Sequence, residues 1–415
     1  MTPALQRPSP APRRRRVLIC APLPFRLDAR HGLKATAQLL LRLAERNEVA
    51  LLCLRGPDEE GVDPALAARC AHVEEVPARV GTHPLAQRLV WAGGVLRGLP
   101  PLATDCRSAE YQSALERLLD TWRPDVVEVH LQAMAQYIDA PARRNLPAIL
   151  VDHDPASLRA LLKMTKGPQW LTRRLEVAVW ERYGRATRGQ FDAVVVFTER
   201  DLEAVERTAC HAPLVRIPLG VEIPARPLDP HGSDPPMVLF VGAFNHPPNV
   251  DAALRLAGAI FPPVLERVPR AELALVGQDP GDEVRALAGG GVTVHASVPD
   301  VTPYLDRAAI VVAPLRLGGG MRLKVLEALA AGKAVVASSL AAEGIAANAD
   351  EHFLLADDDD ELVEALIALL LNPERRVALG RSARAWAEQN LGWEHALASF
   401  EQLYETVIAA RERSV

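Results

Sequence analysis

The 415-residue chain has no long hydrophobic run, no paired-cysteine spacing and no charge excess large enough to name a partner. No apolar stretch approaches the roughly twenty residues that a membrane-spanning helix needs. The opening APRRRRVLICAPLPF imitates a secretion signal, but its apolar part is short, holds Pro22 and Pro24, and runs into Arg26, Asp28 and Arg30. Val17 to Ala21 is therefore expected to be a buried strand. The arginines at 13 to 16 read as a solvated tail, with anionic lipid as the alternative contact. The five cysteines (Cys20, Cys53, Cys70, Cys106 and Cys210) are scattered, odd in number and lack a CxxC. That argues against a disulfide framework or a zinc site and fits a reducing cytoplasm. A formal net charge of −5 gives no reason to expect nucleic acid. The phosphate loop GxxxxGK[ST] is missing, and the first strand-to-helix turn reads APLPFRLDARHG where a dinucleotide site has GxGxxG. ATPase and dehydrogenase readings lose ground accordingly.

What is present is a chain too long for one hydrophobic core, with 49% apolar and 24% charged residues, so two globular domains are expected. Short β-branched runs alternate twice with longer helical patterns, the signature of an α/β architecture with parallel, doubly wound sheets. The first series has strands near RVLICA, EVALLCL, DVVEVH, AILVDH and AVVVF, with LKATAQLLLRLAER as a helix between the first two. The segment EIPARPLDPHGSDPP then breaks all periodicity and marks a linker. The second series has strands near MVLFVG, AELALVG, VTVHA, AIVVAP and AVVAS. The expected division is a basic tail over 1–16, a Rossmann-like domain over 17–221, a linker over 222–236, a second Rossmann-like domain over 237–390, and a final helix over 391–415. Ligand is expected in the cleft between facing strand ends.

One junction concentrates chemistry. In LRLGGGMRLKVLEALAAGKAVVAS, a buried strand ends, Gly318, Gly319 and Gly320 turn the chain, and KVLEALAAG continues as a helix towards the glycine expected near its end. Free backbone N–H groups, the positive end of the helix dipole and glycines that admit close approach make such a start an anion site, with diphosphate as the natural ligand. Lys324 and Glu327 lie roughly 60° apart on one side of that helix, opposite a stripe of Met321, Val325 and Leu329. Arg322 falls on the apolar side and is expected to reach past the helix end. The plain alternative is a tight turn followed by a solvated Lys/Glu face.

These residues, followed by AAEGI, resemble the nucleotide-sugar site of retaining glycosyltransferases of family four, which have the two-domain GT-B fold. VLFVGAFNHPPNVDAALRLAGAIFPPVLERVPRAELALVG and VPDVTPYLDRAAIVVAPL resemble the same family's second domain, and more narrowly its exopolysaccharide-type sugar transferases. VDHDP, FDAVVVFTERD and VRIPLGVEIP resemble its first domain and interdomain turn. The likeness runs from about Val17 to the end and is weakest over 56–120. It implies transfer of a sugar from a nucleotide diphosphate sugar to a glycan, lipid-linked or small-molecule acceptor. Net retention, no essential metal, no further cofactor, and a role in polysaccharide or glycoconjugate synthesis are implied with it.

Residue by residue, Glu327 matches the family glutamate that bonds the nucleotide ribose, and His153 the histidine that faces the donor sugar. Gly32 stands in the glycine loop near the donor phosphates, and Gly242, Gly277 and Val298 to Asp300 end strands that surround the base. Two departures stand out. The family's first glutamate falls at Gly319, which implies a backbone substitute, a different donor, or lost catalysis in a silent nucleotide-sugar binder or scaffold. GAFNHPPN replaces the segment where the family tends to place an arginine and a lysine, leaving Arg322, Lys324 and the Gly320 region to hold the diphosphate. His130 reads rather as a structural hydrogen-bonding residue. The fold also implies that the final helix crosses back onto the first domain.

Two charged stretches offer rivals. ADDDDELVEAL suggests a metal cluster, but aspartates at a helix start more simply cap free N–H groups. Residues 159–188 hold Lys163, Lys166, Arg173, Arg174, Arg182, Arg185 and Arg188 beside Trp170, Trp180 and Tyr183. That pattern is either a solvated helix, the commoner case, or a surface for peripheral contact with the inner face of a membrane or with an anionic acceptor.

Overall fold

The computed structural model describes residues 14–27, 32–78, 84–156, 159, 162, 167, 169–208, 211–318 and 323–413, with backbone only for 32 and 84–86. The first sheet holds β1 (Arg16–Ala21), β2 (Glu48–Arg55), β3 (His72–Pro77), β4 (Val126–His130), β5 (Ala148–Val151), β6 (Ala193–Val196) and β7 (Leu214–Arg216), in the order β3-β2-β1-β4-β5-β6-β7. The second holds β8 (Met237–Val241), β9 (Glu272–Gly277), β10 (Val292–Ala296), β11 (Ala308–Ala313), β12 (Ala334–Ala337) and β13 (Leu354–Leu355), in the order β10-β9-β8-β11-β12-β13. These neighbours pair in parallel, with Val17 opposite Val49 on one side and Val126 on the other. Helices cover both faces, so most central strands are apolar on both sides; every residue of β6 and β12 is buried.

Ten of these strands lie where the apolar runs place them. The three outside that series, β3, β7 and β13, are sheet edges. HVEEVP is largely exposed, and the other two have three and two residues. An edge strand buries too little to need a hydrophobic run.

In both sheets the order reverses beside the first strand, between β1 and β4 and between β8 and β11, and such switch points open a crevice beyond the strands' C-terminal ends. Among the helices, the first half carries α1 (Gly32–Arg46), α2 (Pro84–Leu96), α3 (Gln169–Thr187) and α4 (Glu199–Glu206). The second half adds α5 (Pro247–Arg255), α6 (Leu323–Ala330), α7 (Asp359–Leu370), α8 (Pro373–Asn390) and α9 (Trp393–Arg413).

Side-chain alternation splits the first domain's core in two. Ile19, Leu51, Ile149 and Val195 face one layer, and Leu18, Leu52, Leu150 and Val194 the other. On the first of these faces α1 buries Leu39, Leu40 and Leu43, and α9 buries Trp393, Leu397, Phe400, Tyr404 and Val407. The last helix thus leaves the second domain and completes the core of the first. Arg46–Glu394 at 2.5 Å and Arg15–Glu405 at 2.6 Å tie it down at the surface. Such pairs are worth at most about 1 kcal/mol each, whereas each buried large side chain contributes about 1.5–3 kcal/mol.

The proline-rich linker is strapped to the second domain. Arg384 donates to the Pro224 carbonyl at 2.6 Å, Leu228 N–H to Ala331 at 3.0 Å, and Arg376 to the His231 carbonyl at 3.2 Å. Buried Lys333 donates to the Asp306 carbonyl at 3.1 Å and to that of Asp229, and burial pulls its ammonium down to about 8. No helix among the described residues is long and apolar enough to cross a membrane.

Candidate functional site

The crevice has two walls. On the second domain's wall β11 ends, Gly318 takes a φ of +110°, and α6 starts at Leu323. Gly319, Gly320, Met321 and Arg322 lie outside the described residues. Val325, Ala328 and Leu329 bury the inner face of α6, and the helix ends at Gly332, whose φ of +77° is the left-handed conformation that stops a helix cheaply. Lys324 turns towards β8 and the start of α5: its Nζ donates to Asn249 Oδ1 at 2.7 Å and lies 4.6 Å from the centre of the Phe240 ring. Asn249 in turn donates to the Ala243 carbonyl at 2.9 Å. The ammonium therefore sits against GAFNHPPN, the segment in which the resemblance leads one to expect an arginine and a lysine. Glu327 opens onto the cleft yet is crowded by protein, and partial desolvation lifts its carboxyl above the ordinary range against the pull of Lys34 and Lys324.

The remaining second-domain residues take more ordinary positions. Gly242 and Gly277 end adjacent strands so tightly that a Cβ on Gly277 would fall 1.6 Å from the Gly242 carbonyl oxygen. Packing alone thus requires glycine at 277. Val298 is half-buried, and the exposed Asp300 accepts from Thr302 N–H at 2.9 Å, which holds its carboxyl below the usual range.

The first domain's wall is built from strand ends. Glu128 and His130 alternate on β4 and so share the face that α9 covers. His153 follows β5; its Nε2 lies 3.0 Å from His130 Nδ1, and His130 Nε2 lies 3.0 Å from Glu128 Oε2. Tyr404 of α9 donates its hydroxyl to Glu128 Oε1. Burial, with His130 acting in the same direction, drives the His153 imidazole well below its ordinary pKa, so it is neutral. Beneath it, Arg188 donates to Asp152 Oδ2 at 2.7 Å and to Gln132 Oε1 at 2.8 Å, both partners of the ion pair being buried. Gly32 opens α1.

Two residues that the sequence analysis passed over join the walls. Lys34, in the first turn of α1, is exposed and lies within electrostatic reach of both Asp300 and Glu327 across the cleft. Arg200, at the start of α4, donates to the Gly318 carbonyl at 3.0 Å and to Glu343 at 3.2 Å. Glu128 did leave a signal: an acidic residue inside VVEVH must find donors once the strand is buried.

The acidic run is accounted for by local bonds. Asp358 and Glu361 form a reciprocal cap on α7, Asp357 accepts from Ser339, and Asp359 pairs with Arg255 at 2.6 Å. Among the described residues no group of three or more metal-ligating side chains comes together. Within the basic run, one residue is not on the surface at all and two others are paired. Arg188 is buried and belongs to the core beneath His153; Arg159 pairs with Glu181 and Arg173 with Glu176, and Lys163 and Lys166 lie outside the described residues. What α3 exposes is mixed: Arg174, Arg182 and Arg185 stay on the surface beside Trp170, Leu171 and Leu175. Beside it lies a cavity of about 330 Å³ whose lining includes Leu102, Asp154, Val177, Trp180 and Glu181. On its far side the helix Pro101–Asp105 carries exposed Leu102 and packs against α2, which exposes Leu89, Val90 and Leu96.

The family described as Glycosyltransferase Family 4 matches residues 34–223, and the family described as Glycosyl transferases group 1 matches residues 235–372. The phosphatidyl-myo-inositol mannosyltransferase of Mycolicibacterium smegmatis is 33% identical over 208 residues, 47% of this chain and 53% of that protein. The chain thus spans about half the length of the curated relatives it matches. Sucrose-phosphate synthase from Thermosynechococcus elongatus superposes with a TM-score of 0.69 at 18% identity, over 95% of this chain and all of that one. Anabaena HepE, solved in complex with UDP, superposes with a TM-score of 0.63 at 13% identity, over 94% of this chain and all of that one. At these identities the likeness is one of fold, and the fold is GT-B.

Proposed function

We propose, from the glycosyltransferase family models that match residues 34–223 and 235–372 and from the GT-B scaffold, that this chain transfers a sugar from a nucleotide diphosphate sugar to an acceptor, with retention and without an essential metal. The supporting observation is that the switch points of two parallel sheets meet: Gly318, Lys324 and Glu327 stand on one wall, and His153, Lys34 and Arg200 on the other. Breaking a sugar–phosphate bond leaves a diphosphate, and fixed donors placed where its charge develops lower the barrier. The glycine turn, the start of α6 and Lys324 would supply them, with Arg322 beside them in sequence. Glu327 would hold the ribose and His153 the sugar, while Arg200 draws the walls together and excludes competing water.

The acceptor would be a lipid-linked glycan or a related amphiphile in glycoconjugate or polysaccharide synthesis. The cavity beside Trp180 offers an aromatic face and carboxylates, and the leucines on α2 and α3 offer an apolar rim that favours peripheral contact with a bilayer. The name of the mannosyltransferase relative, with its phosphatidyl-inositol acceptor, points the same way.

Thermal-shift titration with UDP, GDP, ADP and their sugars, with and without chelator, tests the donor. One nucleotide should raise Tm equally in both conditions, and no shift with any of them removes the proposal. A shift without sugar release on any acceptor favours the silent binder that Gly319 leaves open. Flotation with anionic vesicles tests the surface, with Leu171→Ser and Leu175→Ser expected to abolish it.

A further inference from the structure

The polar groups behind His153 form one chain, and the direction of every hydrogen bond in it can be worked out. Val126, Glu128 and His130 alternate on the face of β4 that α9 covers, and both Glu128 and His130 are fully buried. A carboxylate there needs donors on both oxygens. It has two, the Tyr404 hydroxyl on Oε1 and His130 Nε2 on Oε2, the latter at 3.0 Å. Burial and the neighbouring carboxylate hold the Tyr404 phenol well above its ordinary pKa, so it donates. A neutral His130 then carries its proton on Nε2, and its Nδ1 is left with a lone pair. That lone pair faces His153 Nε2 at 3.0 Å, which fixes the His153 proton on Nε2 as well. Phe25 stands edge-on to the His130 ring at 5.4 Å and Phe197 to the His153 ring at 5.2 Å, so both imidazoles are held against rotation.

We infer that Tyr404, Glu128 and His130 are positioning residues that lock His153 into one neutral tautomer, with its Nδ1 lone pair as the hydrogen-bond acceptor left for a sugar hydroxyl. The consequence depends on the reading of His153 as the residue that meets the donor sugar; the tautomer itself does not. Which nitrogen of a histidine is protonated is set by what the other one bonds, and here that information originates in the last helix of the chain. Docking of α9 on the first domain therefore reaches the cleft through two side chains and one ring.

¹⁵N-histidine NMR of the full-length protein at neutral pH reads both tautomers directly. Wild type should show His130 and His153 protonated on Nε2 and bare on Nδ1. A proton on His153 Nδ1, or a charged His130, overturns the inference. Glu128→Gln, whose amide can either accept or donate, should mix the tautomers at both histidines and lower kcat by about tenfold to a hundredfold while leaving the KM for the donor within about twofold. Tyr404→Phe, which keeps the ring in the core, should produce the same spectral change to a smaller degree. Unchanged histidine spectra in both variants sink the relay. A tautomer change in protein whose wild type turns over no nucleotide sugar upholds the relay and indicts the transferase reading instead.

Discussion

The two walls of the cleft are built on different length scales. The second domain's wall is local: Gly318, Lys324 and Glu327 fall within ten positions, on one strand end, one turn and one helix. The first domain's wall is assembled at long range, since Glu128, His130 and His153 come from neighbouring strand ends and Tyr404 reaches them from α9. A local arrangement carries its ligand chemistry in exposed groups. A long-range one buries its charges and so ties function to folding. The first wall should therefore fail through stability and the second through affinity.

The sharpest break in that comparison is Arg188→Met. It leaves Asp152, 3% exposed, without its cation in the core beneath His153. Loss of one partner of a buried pair costs about 3–5 kcal/mol, and the double variant Arg188→Met/Asp152→Leu should regain most of it. Denaturant midpoints check both, and a single variant that unfolds like wild type would show that the wall does not rest on this pair.

Next in size is a pH effect on the same wall. Burial pushes the Asp201 carboxyl up to about 6, more than hydrogen bonds from Thr198 at 2.5 Å and the Ala156 amide can offset, and Asp152 adds to the rise. A folded-state value above the unfolded one means that the native protein holds the proton longer. The contribution of Asp201 to stability is therefore whole below about pH 4 and is lost as pH rises through 6. Asp201→Asn lacks that step. It should gain up to about 3 kcal/mol on wild type between pH 4 and pH 7.5, read from paired unfolding curves; parallel curves would show that ionising Asp201 costs nothing.

On the second wall the order of effects reverses. Glu327→Ala removes a group that the fold does not need, so unfolding should barely change, whereas nucleotide diphosphate binding should fall by about tenfold to a hundredfold, the worth of a hydrogen bond to a charged group. Lys324→Ala should weaken binding too, with a small stability cost because Asn249 loses its partner. Calorimetric titration decides, and unchanged affinity in both variants would remove the site from α6.

The same difference in scale explains what could be read in advance. β1, β2, β5, β6, β8, β9, β11 and β12 are central strands with apolar runs, and β4 and the edge strand β10 still show enough β-branched residues to be read, whereas β3, β7 and β13 are edges that bury little. Lys324 and Glu327 were legible because helical period alone sets them on one side. The bond from Lys324 to Asn249 was not, since it depends on how α5 packs beside α6. Arg188 was misread as part of a basic surface for a related reason: a guanidinium in a run of arginines looks solvated until the buried Asp152 that neutralises it is brought alongside by folding. Tyr404 left no trace, because its partner is 276 positions away.

Lys34 is the smallest of these effects and the one that joins the walls. It stands in the first turn of α1, exposed, with Asp300 and Glu327 across the cleft close enough to feel its charge. An exposed cation in that position is worth about 1 kcal/mol or less, roughly fivefold in affinity, and is screened by salt. Lys34→Ala should therefore weaken nucleotide diphosphate binding by that modest factor at low ionic strength, and the gap from wild type should close towards 1 M salt, where the Debye length is about 3 Å. Titrations at two salt concentrations separate this long-range attraction from a direct hydrogen bond, whose loss persists at high salt. Equal affinities at low salt would mean that the first wall acts on the donor through His153 alone and that the cleft is held together by Arg200 rather than by charge across it.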